Sequence, residues 1–188
     1  MLIGVVGKSG AGKSSMINRM MCFDDSIIHI DIDKIGHEIL KEKNVINNIV
    51  RIVEDSSIVC DGIIDRKKVG NIIFNDLEKY EKYYKYTEKI EYEIIDKLIN
   101  ENKDKKIFLD WIVLDKTKYW KMLDYRILVV TDYDVRKDRV IKRDSIDGNY
   151  FDLREGIKDS YNALDIDLIV DGNNINDNLI NEILGEIK

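Results

Sequence analysis

The chain has 188 residues, and its 36 acidic and 30 basic side chains give a formal net charge of −6. This length suits one domain, expected to span residues 1–188, and the negative balance argues against nucleic acid or an anionic membrane as a partner. No apolar stretch approaches the roughly 20 residues of a membrane span, and the N-terminus lacks the pattern of a secretory signal. With only two cysteines, we expect a cytoplasmic protein whose thiols are reduced. We also expect it to be a monomer or a weak homo-oligomer.

Short apolar runs predict five strands, separated by segments with helical periodicity. The strands are predicted at residues 2–6, 26–32, 106–110, 126–131 and 167–170, with a short extended piece at 58–60. The helices are predicted at residues 13–22, 34–53 with a break near Asn44, 65–74 capped by Asp65, 76–100, 134–143, 151–163 and 176–187. The alternation predicts an α/β three-layer sandwich, in which a five-stranded, mostly parallel sheet carries helices on both faces. Residues 55–103 interrupt the alternation of strands and helices, which predicts an inserted helical subregion.

A glycine-rich motif follows the first strand and fits G-x-x-x-x-G-K-[ST] in full. Its glycines let successive backbone N–H groups converge on one anion, and the following helix adds its dipole. The lysine would bridge the outer phosphates, and the first serine hydroxyl after it would bind Mg²⁺. The motif therefore predicts a nucleoside triphosphate site made by Gly7, Lys8, Ser9, Gly10, Ala11, Gly12, Lys13, Ser14 and Ser15.

Other classes of P-loop protein fit the sequence less well. A GTPase needs N-K-x-D, whereas residues 102–105 read Asn-Lys-Asp-Lys. The D-x-x-G string at residues 33–36 follows the phosphate loop too closely to leave room for a switch segment. Motor and AAA-type ATPases usually need a longer chain. A small-molecule kinase therefore fits best.

Carboxylates stand at two strand ends, at the sheet edge where open α/β sheets bind ligands. Asp31 and Asp33 are expected on one side of the second strand, with Asp33 accepting the proton of an attacking hydroxyl. The alternative is that Asp33 only caps the next helix. Asp110 is a candidate Mg²⁺ ligand, partly through water, or else a turn residue. His29 is expected to be structural, and His37 is a candidate for the acceptor site.

The helix at residues 134–143 carries three arginines on one face, Arg136, Arg139 and Arg143. Residues 134–160 are predicted to form a lid that lays guanidinium groups over the transferring phosphoryl group. The alternative is a solvated, charged helix face.

Together these motifs resemble those of dephospho-CoA kinases, over about residues 2–172. The similar segments are GKSGAGKSS, IDIDKIGHEIL, DGIIDRKKVGNIIF, FLDWIVLD, RILVVT, RVIKRD and DIDLIVDGN. The resemblance implies a P-loop kinase that uses ATP and Mg²⁺ to phosphorylate the ribose 3′-hydroxyl of dephospho-CoA, giving coenzyme A and ADP. It implies an acceptor-binding role for residues 55–103. The residues it assigns are Asp33, Lys13, Arg139 and Arg143 for catalysis, Asp31, His37 and Arg66 for the acceptor, and Ser14 and Asp110 for the metal.

The chain departs from the family pattern at four places. Residues 88–89 (Glu-Lys) lie near the family's His-Pro, and residues 111–113 (Trp-Ile-Val) replace Pro-Leu-Leu. Asp159 or a neighbour replaces a glutamine after the lid, and Asp171 replaces an asparagine. The departures concern the acceptor more than the phosphate chemistry. Two alternatives therefore remain: another nucleoside or nucleotide kinase on the same fold, and a non-catalytic ATP-binding protein.

Overall fold

The computed structural model describes residues 1–149, 151–152, 161 and 165–187. The chain divides into two compact units: a first unit of residues 1–31 and 102–188, and a second unit of residues 32–101. Within the described ranges, no helix combines the length and the apolar character needed to cross a lipid bilayer.

The elements of the chain follow one another with short connections. The strands are β1 (Leu2–Val6), β2 (Ile27–Asp31), β3 (Val59–Cys60), β4 (Ile63–Ile64), β5 (Lys106–Asp110), β6 (Tyr125–Val130) and β7 (Leu168–Asp171). The α-helices are α1 (Lys13–Met20), α2 (Ile32–Ile39), α3 (Lys43–Val53), α4 (Arg66–Ile73), α5 (Leu77–Glu101), α6 (Tyr133–Asp144) and α7 (Asp177–Glu186). Short 3₁₀ turns lie at Ser56–Ile58, Leu114–Lys116 and Lys118–Met122.

A five-stranded parallel sheet forms the centre of the first unit, in the order β2-β5-β1-β6-β7. Its central strands are continuous apolar runs, as expected of parallel strands that are covered on both faces. One face packs against α1 and α7 in a core that includes Ile3, Phe108 and Ile180. On the other face, the absence of a side chain at Gly4 leaves room for Leu114 and Leu123. Leu114 begins the first 3₁₀ turn after β5, and Leu123 directly follows the second. The parallel arrangement brings the carboxyl ends of the strands to one edge.

The second unit is helical and has a core of its own. Buried aliphatic side chains of α3 and α4, among them Ile49, Val53 and Val69, pack with Ile58 and with the apolar face of α5. The β3–β4 pair is a two-residue antiparallel ladder. Helix α5 is rich in tyrosine, and Tyr80, Tyr83 and Tyr86 are partly buried against this core.

The predicted α/β architecture is confirmed, and the five predicted sheet strands lie within one residue of their expected bounds. The break predicted near Asn44 lies slightly earlier, between Ile39 and Lys43. Asp65 caps α4 as predicted, because its carboxylate accepts the backbone N–H groups of Lys67 and Lys68. The helix predicted at 151–163 lies mostly outside the described residues. The single domain, with its acceptor subregion and lid, stays a prediction.

Candidate active site

The glycine-rich loop joins β1 to α1 at the carboxyl edge of the sheet. Gly7 has φ 147°, and a Cβ there would lie 2.4 Å from the carbonyl oxygen of Val129. Gly12 has φ 102° and immediately precedes α1, so the first N–H groups of that helix have no carbonyl partner within it. This backbone can bind an anion with its N–H groups, and the helix dipole favours negative charge at the same point.

Asp110, at the end of β5, connects the loop to its neighbouring strand. Its Oδ2 accepts a hydrogen bond of 2.6 Å from the Ser14 hydroxyl, and its Oδ1 lies 3.6 Å from the Lys13 ammonium. Lys13 also donates to the Gly7 carbonyl at 3.0 Å. Burial opposes ionisation of Asp110, but hydrogen bonds from His29 and Ser14 and the charge of Lys13 outweigh it and keep its pKa below the ordinary value. Asp110 is therefore an ionised, buried carboxylate.

The end of β2 lies beside Asp110, because β2 and β5 pair in parallel with Asp31 opposite Asp110. Asp33 is not part of that strand. The expectation that Asp31 and Asp33 emerge on one side of a strand is wrong, since β2 ends at Asp31 and Asp33 lies in the first turn of α2. The apolar run alone does not show where the strand turns into a helix. Asp31 belongs to the first unit and Asp33 to the second.

The arginines of α6 contact the phosphate loop in two different ways. Arg136 is buried, and its guanidinium donates to the carbonyls of Thr131 and Ser9 at 3.3 and 3.2 Å. Arg139 is exposed and donates to the carbonyls of Gly10 and Gly172.

Arg143, on the last turn of α6, is exposed as well. It donates to the Ser9 hydroxyl at 3.2 Å and pairs with Asp144. The structure therefore brings the guanidinium groups of Arg139 and Arg143 into contact with the phosphate loop.

Two further residues hold the loop and were not identified from the sequence. The Thr131 hydroxyl, buried after β6, donates to the Ala11 carbonyl at 2.7 Å. Gly172 follows β7 and packs closely against the same groups. A Cβ at this position would lie 2.1 Å from the Ala11 carbonyl oxygen and 2.2 Å from the Thr131 hydroxyl. Both lie in segments that resemble the family's, RILVVT and DIDLIVDGN, but the sequence does not show that they contact a loop more than a hundred residues away.

The second unit contains the remaining candidates. Arg66, at the start of α4, contacts the Nε2 atom of His37 on α2 at 2.5 Å. Because a guanidinium can only donate, His37 accepts through this nitrogen. On α5, Glu91 approaches α2: its Oε1 lies 2.9 Å from the place of a Cβ on Gly36. Burial, together with the charges of Asp33 and Glu88, raises the pKa of Glu91 to about 7. No sequence motif pointed to Glu91.

The parallel sheet, the glycine-rich turn and the Lys13–Ser14–Asp110 contacts define a P-loop nucleotide-binding protein of the kinase type. A dephospho-CoA kinase family model matches residues 1–159 of the 188. The chain belongs to the dephospho-CoA kinase family. This places it among ATP-dependent phosphotransferases that act on small molecules.

Individual relatives agree with this assignment. A dephospho-CoA kinase of Fusobacterium nucleatum is 30% identical over 146 residues, which cover 78% of this chain and 75% of that one. One of Aquifex aeolicus is 32% identical over 143 residues, covering 75% and 72%.

Solved structures show the same fold. The dephospho-CoA kinase of Campylobacter jejuni has a TM-score of 0.64 at 22% identity, over 99% of this chain and 96% of that one. A Thermus thermophilus protein, TT1252, has a TM-score of 0.80 at 17% identity, over 100% and 98%.

Proposed function

We propose that this chain carries out its family's reaction in full: it transfers the γ-phosphoryl group of ATP to the ribose 3′-hydroxyl of dephospho-CoA, giving coenzyme A and ADP. The observation that supports this most directly is the phosphate loop, with Lys13 and Ser14 both in contact with Asp110, in a chain of this family. Phosphoryl transfer needs little covalent chemistry from the protein, so positioning and charge neutralisation carry most of the catalysis.

The loop of residues 7–15 would bind the phosphates of ATP. Backbone N–H groups between Gly7 and Ser15 would surround the phosphate oxygens, and the Lys13 ammonium would neutralise charge on the outer ones. Lys13 is mostly buried and directed toward the loop by the Gly7 carbonyl and the Asp110 carboxylate. Its charge is therefore already placed before a nucleotide arrives.

The donor set beside Lys13 fits Mg²⁺. The Ser14 hydroxyl and the ionised Asp110 carboxylate are hard oxygen donors 2.6 Å apart, and Mg²⁺ prefers such donors. Ser14 and Asp110 would hold the ion, partly through water. When bound, Mg²⁺ neutralises charge on the β- and γ-phosphates.

The acceptor would be bound by residues at the end of β2 and in the second unit. Asp33 would act as general base, accepting the proton of the 3′-hydroxyl and orienting it for in-line attack. Asp31, His37 and Arg66 would contact the acceptor, and the Arg66–His37 contact fixes the imidazole with its Nε2 as an acceptor. Residues 55–103 would form most of the surface that the acceptor meets.

Arg139 and Arg143 would stabilise the charge on the transferring phosphoryl group. Both guanidinium groups reach the phosphate loop from α6 and carry permanent charge. Residues 134–160 would act as the lid that brings them over the phosphates. The cytoplasmic location and the monomeric or weakly associated state stay predictions.

Replacement of Asp33 by asparagine tests this function. A general base typically contributes about 10²–10⁴-fold, so Asp33→Asn should lower kcat by that factor while ATP binding is retained. The assay follows ADP release with saturating dephospho-CoA. Asp177→Asn, which changes another first-turn aspartate in α7, is the matched control and should keep normal activity.

Three outcomes would contradict the proposal. Near-normal activity of Asp33→Asn would show that this carboxylate only stabilises the first turn of α2, an effect of about 0.3–1 kcal/mol. ADP release with nucleosides but not with dephospho-CoA would assign the chain to another small-molecule kinase. ATP binding without turnover on any acceptor would indicate a non-catalytic ATP-binding protein.

A further inference from the structure

His29, Asp31 and Asp110 form a compact group of metal-ligating side chains on β2 and β5. One ligand atom of each lies within 4.8 Å of the other two. The strand register explains this. His29 and Asp31 are two residues apart on β2 and share a face, and Asp31 pairs with Asp110. All three belong to the first unit.

The two oxygens of Asp110 have different surroundings. Oδ1 faces the Lys13 ammonium, whereas Oδ2 faces the Ser14 hydroxyl and, at 3.4 Å, the Nε2 atom of His29. The His29 ring also lies 3.4 Å from the Asn18 amide oxygen through Nδ1. Both contacts are longer than the usual 2.9–3.0 Å or so of an N–H···O hydrogen bond. The mostly buried ring is therefore oriented toward Asp110 at a distance longer than that of a short hydrogen bond.

We propose that His29, Asp31 and Asp110 form a divalent-cation site with one nitrogen and two carboxylate donors, and that this site binds Mn²⁺ in preference to Mg²⁺. The donor set carries the preference. Imidazole suits first-row transition ions, whereas Mg²⁺ favours oxygen ligands and holds its water tightly. The Ser14–Asp110 pair alone would not discriminate in this way.

The inference rests on the proposed function only for the role of the ion in phosphoryl transfer. An ion held by these residues would lie beside Ser14 at the phosphate loop. Binding itself needs no nucleotide. A failed Mn²⁺ experiment would leave the Mg²⁺-supported kinase reaction intact, and a failed kinase assay would leave the cation site standing.

The decisive experiment is electron spin-echo spectroscopy of Mn²⁺ added to the full chain without nucleotide. A directly bound imidazole nitrogen gives a ¹⁴N modulation, and labelling the histidines with ¹⁵N must change it. His37→Gln removes the other histidine and is the matched control, which should keep the signal. Bound Mn²⁺ without nitrogen modulation, or no bound Mn²⁺ at all, would overturn the proposal.

A second measurement separates ligation from a structural role of His29. His29→Gln keeps a side chain that can hydrogen-bond Asp110 but has no imidazole nitrogen. Loss of even an outer-shell partner of a metal ligand typically costs about 10–100-fold in affinity, so we expect at least such a loss for Mn²⁺, with little change for Mg²⁺. Titration calorimetry with each ion measures both. An equal loss for the two ions, or no loss, would show that His29 only supports Asp110.

Discussion

Glu91 illustrates how burial and neighbouring charge act on one side chain of the second unit. Its carboxyl is half-buried against Gly36, and burial is the largest cause of its pKa of about 7, followed by the charges of Asp33 and Glu88. The phenols of Tyr83 and Tyr84 and the guanidinium of Arg66 belong to the same electrostatic neighbourhood. Because the pKa lies above the ordinary value of 4.5, the folded chain binds more protons than the unfolded chain between these two values.

The free energy of unfolding should therefore fall as pH rises from about 4.5 through about 7, as far as Glu91 contributes. Glu91→Gln removes this contribution and should be more stable than the parent chain at about pH 8 by roughly 1 kcal/mol, a value reduced for the solvent exposure of the group. Urea denaturation at about pH 5 and about pH 8 measures the difference. Glu93→Gln, an exposed position on the same helix, should not change the slope. An unchanged slope in Glu91→Gln would contradict the prediction.

For single residues, the sequence predicts those contacts whose partners lie nearby in the sequence. The Asp65 cap could be predicted because its partners, Lys67 and Lys68, lie two and three residues away. His29 and Glu91 could not be assigned in the same way. The surroundings of His29 come from α1 and β5, and those of Glu91 come from α2, so their environments exist only once the chain has folded.

Helix α6 contains arginines with two different roles at helical spacing. The spacing correctly predicted a shared face, but it could not show that Arg136 is buried and that Arg143 is 60% exposed at its side chain. That difference arises because Arg136 lies over the carbonyls of Thr131 and Ser9, which need a donor in a site away from water.

Substitution of these arginines by methionine should therefore separate stability from activity. Arg136→Met leaves two carbonyls without this donor and should lower the free energy of unfolding by about 1–3 kcal/mol. Arg143→Met loses an exposed ion pair, should stay within about 0.5 kcal/mol of the parent, and should lower kcat more than ATP affinity. Chemical denaturation and steady-state kinetics measure the two effects. Equal stability losses in both variants would contradict the separate roles.

The turn after β7 supports the phosphate loop through the absence of a side chain. Gly172→Ala places a methyl group 2.1 Å from the Ala11 carbonyl oxygen, so the loop has to move. We expect ATP affinity to fall by at least about tenfold, since a shift of even 1 Å misplaces binding groups. Gly185→Ala, within α7 and with open space around its Cβ, is the matched control and should be neutral or slightly stabilising. Titration with ATP measures the affinity of both variants. Unchanged affinity in Gly172→Ala would contradict the idea that the turn after β7 supports the phosphate loop.

On the scale of the whole molecule, each of the two units has a buried core among the residues that the structure describes. The core of the first unit contains Phe108, and the core of the second contains Ile49, both fully buried. The sequence predicted the first core well because its strands are uninterrupted apolar runs. It placed the start of the inserted region at about residue 55, whereas the second unit begins at Ile32, because α2 and α3 have ordinary amphipathic patterns that fit either unit.

Separate cores predict separate responses to cavities. Ile49→Ala should cost about 2–5 kcal/mol and should speed amide hydrogen exchange mainly within residues 32–101. Phe108→Ala should speed exchange mainly in residues 1–31 and 102–149. Mass spectrometry of exchanged peptides measures both. A uniform increase along the chain in either variant would show that the two cores unfold as one.

The parallel pairing of β2 with β5 also determines how this kinase can be re-engineered. The chain leaves the sheet at Asp31, opposite Asp110, and must re-enter at Lys106, opposite Ile27. Any substitute for residues 32–105 has to run back about 13 Å along the strands, so a simple deletion cannot close the gap. A donor segment whose ends match that offset could be grafted here. Chimaeras made at these two joints would exchange the second unit and keep the strand order and the phosphate loop.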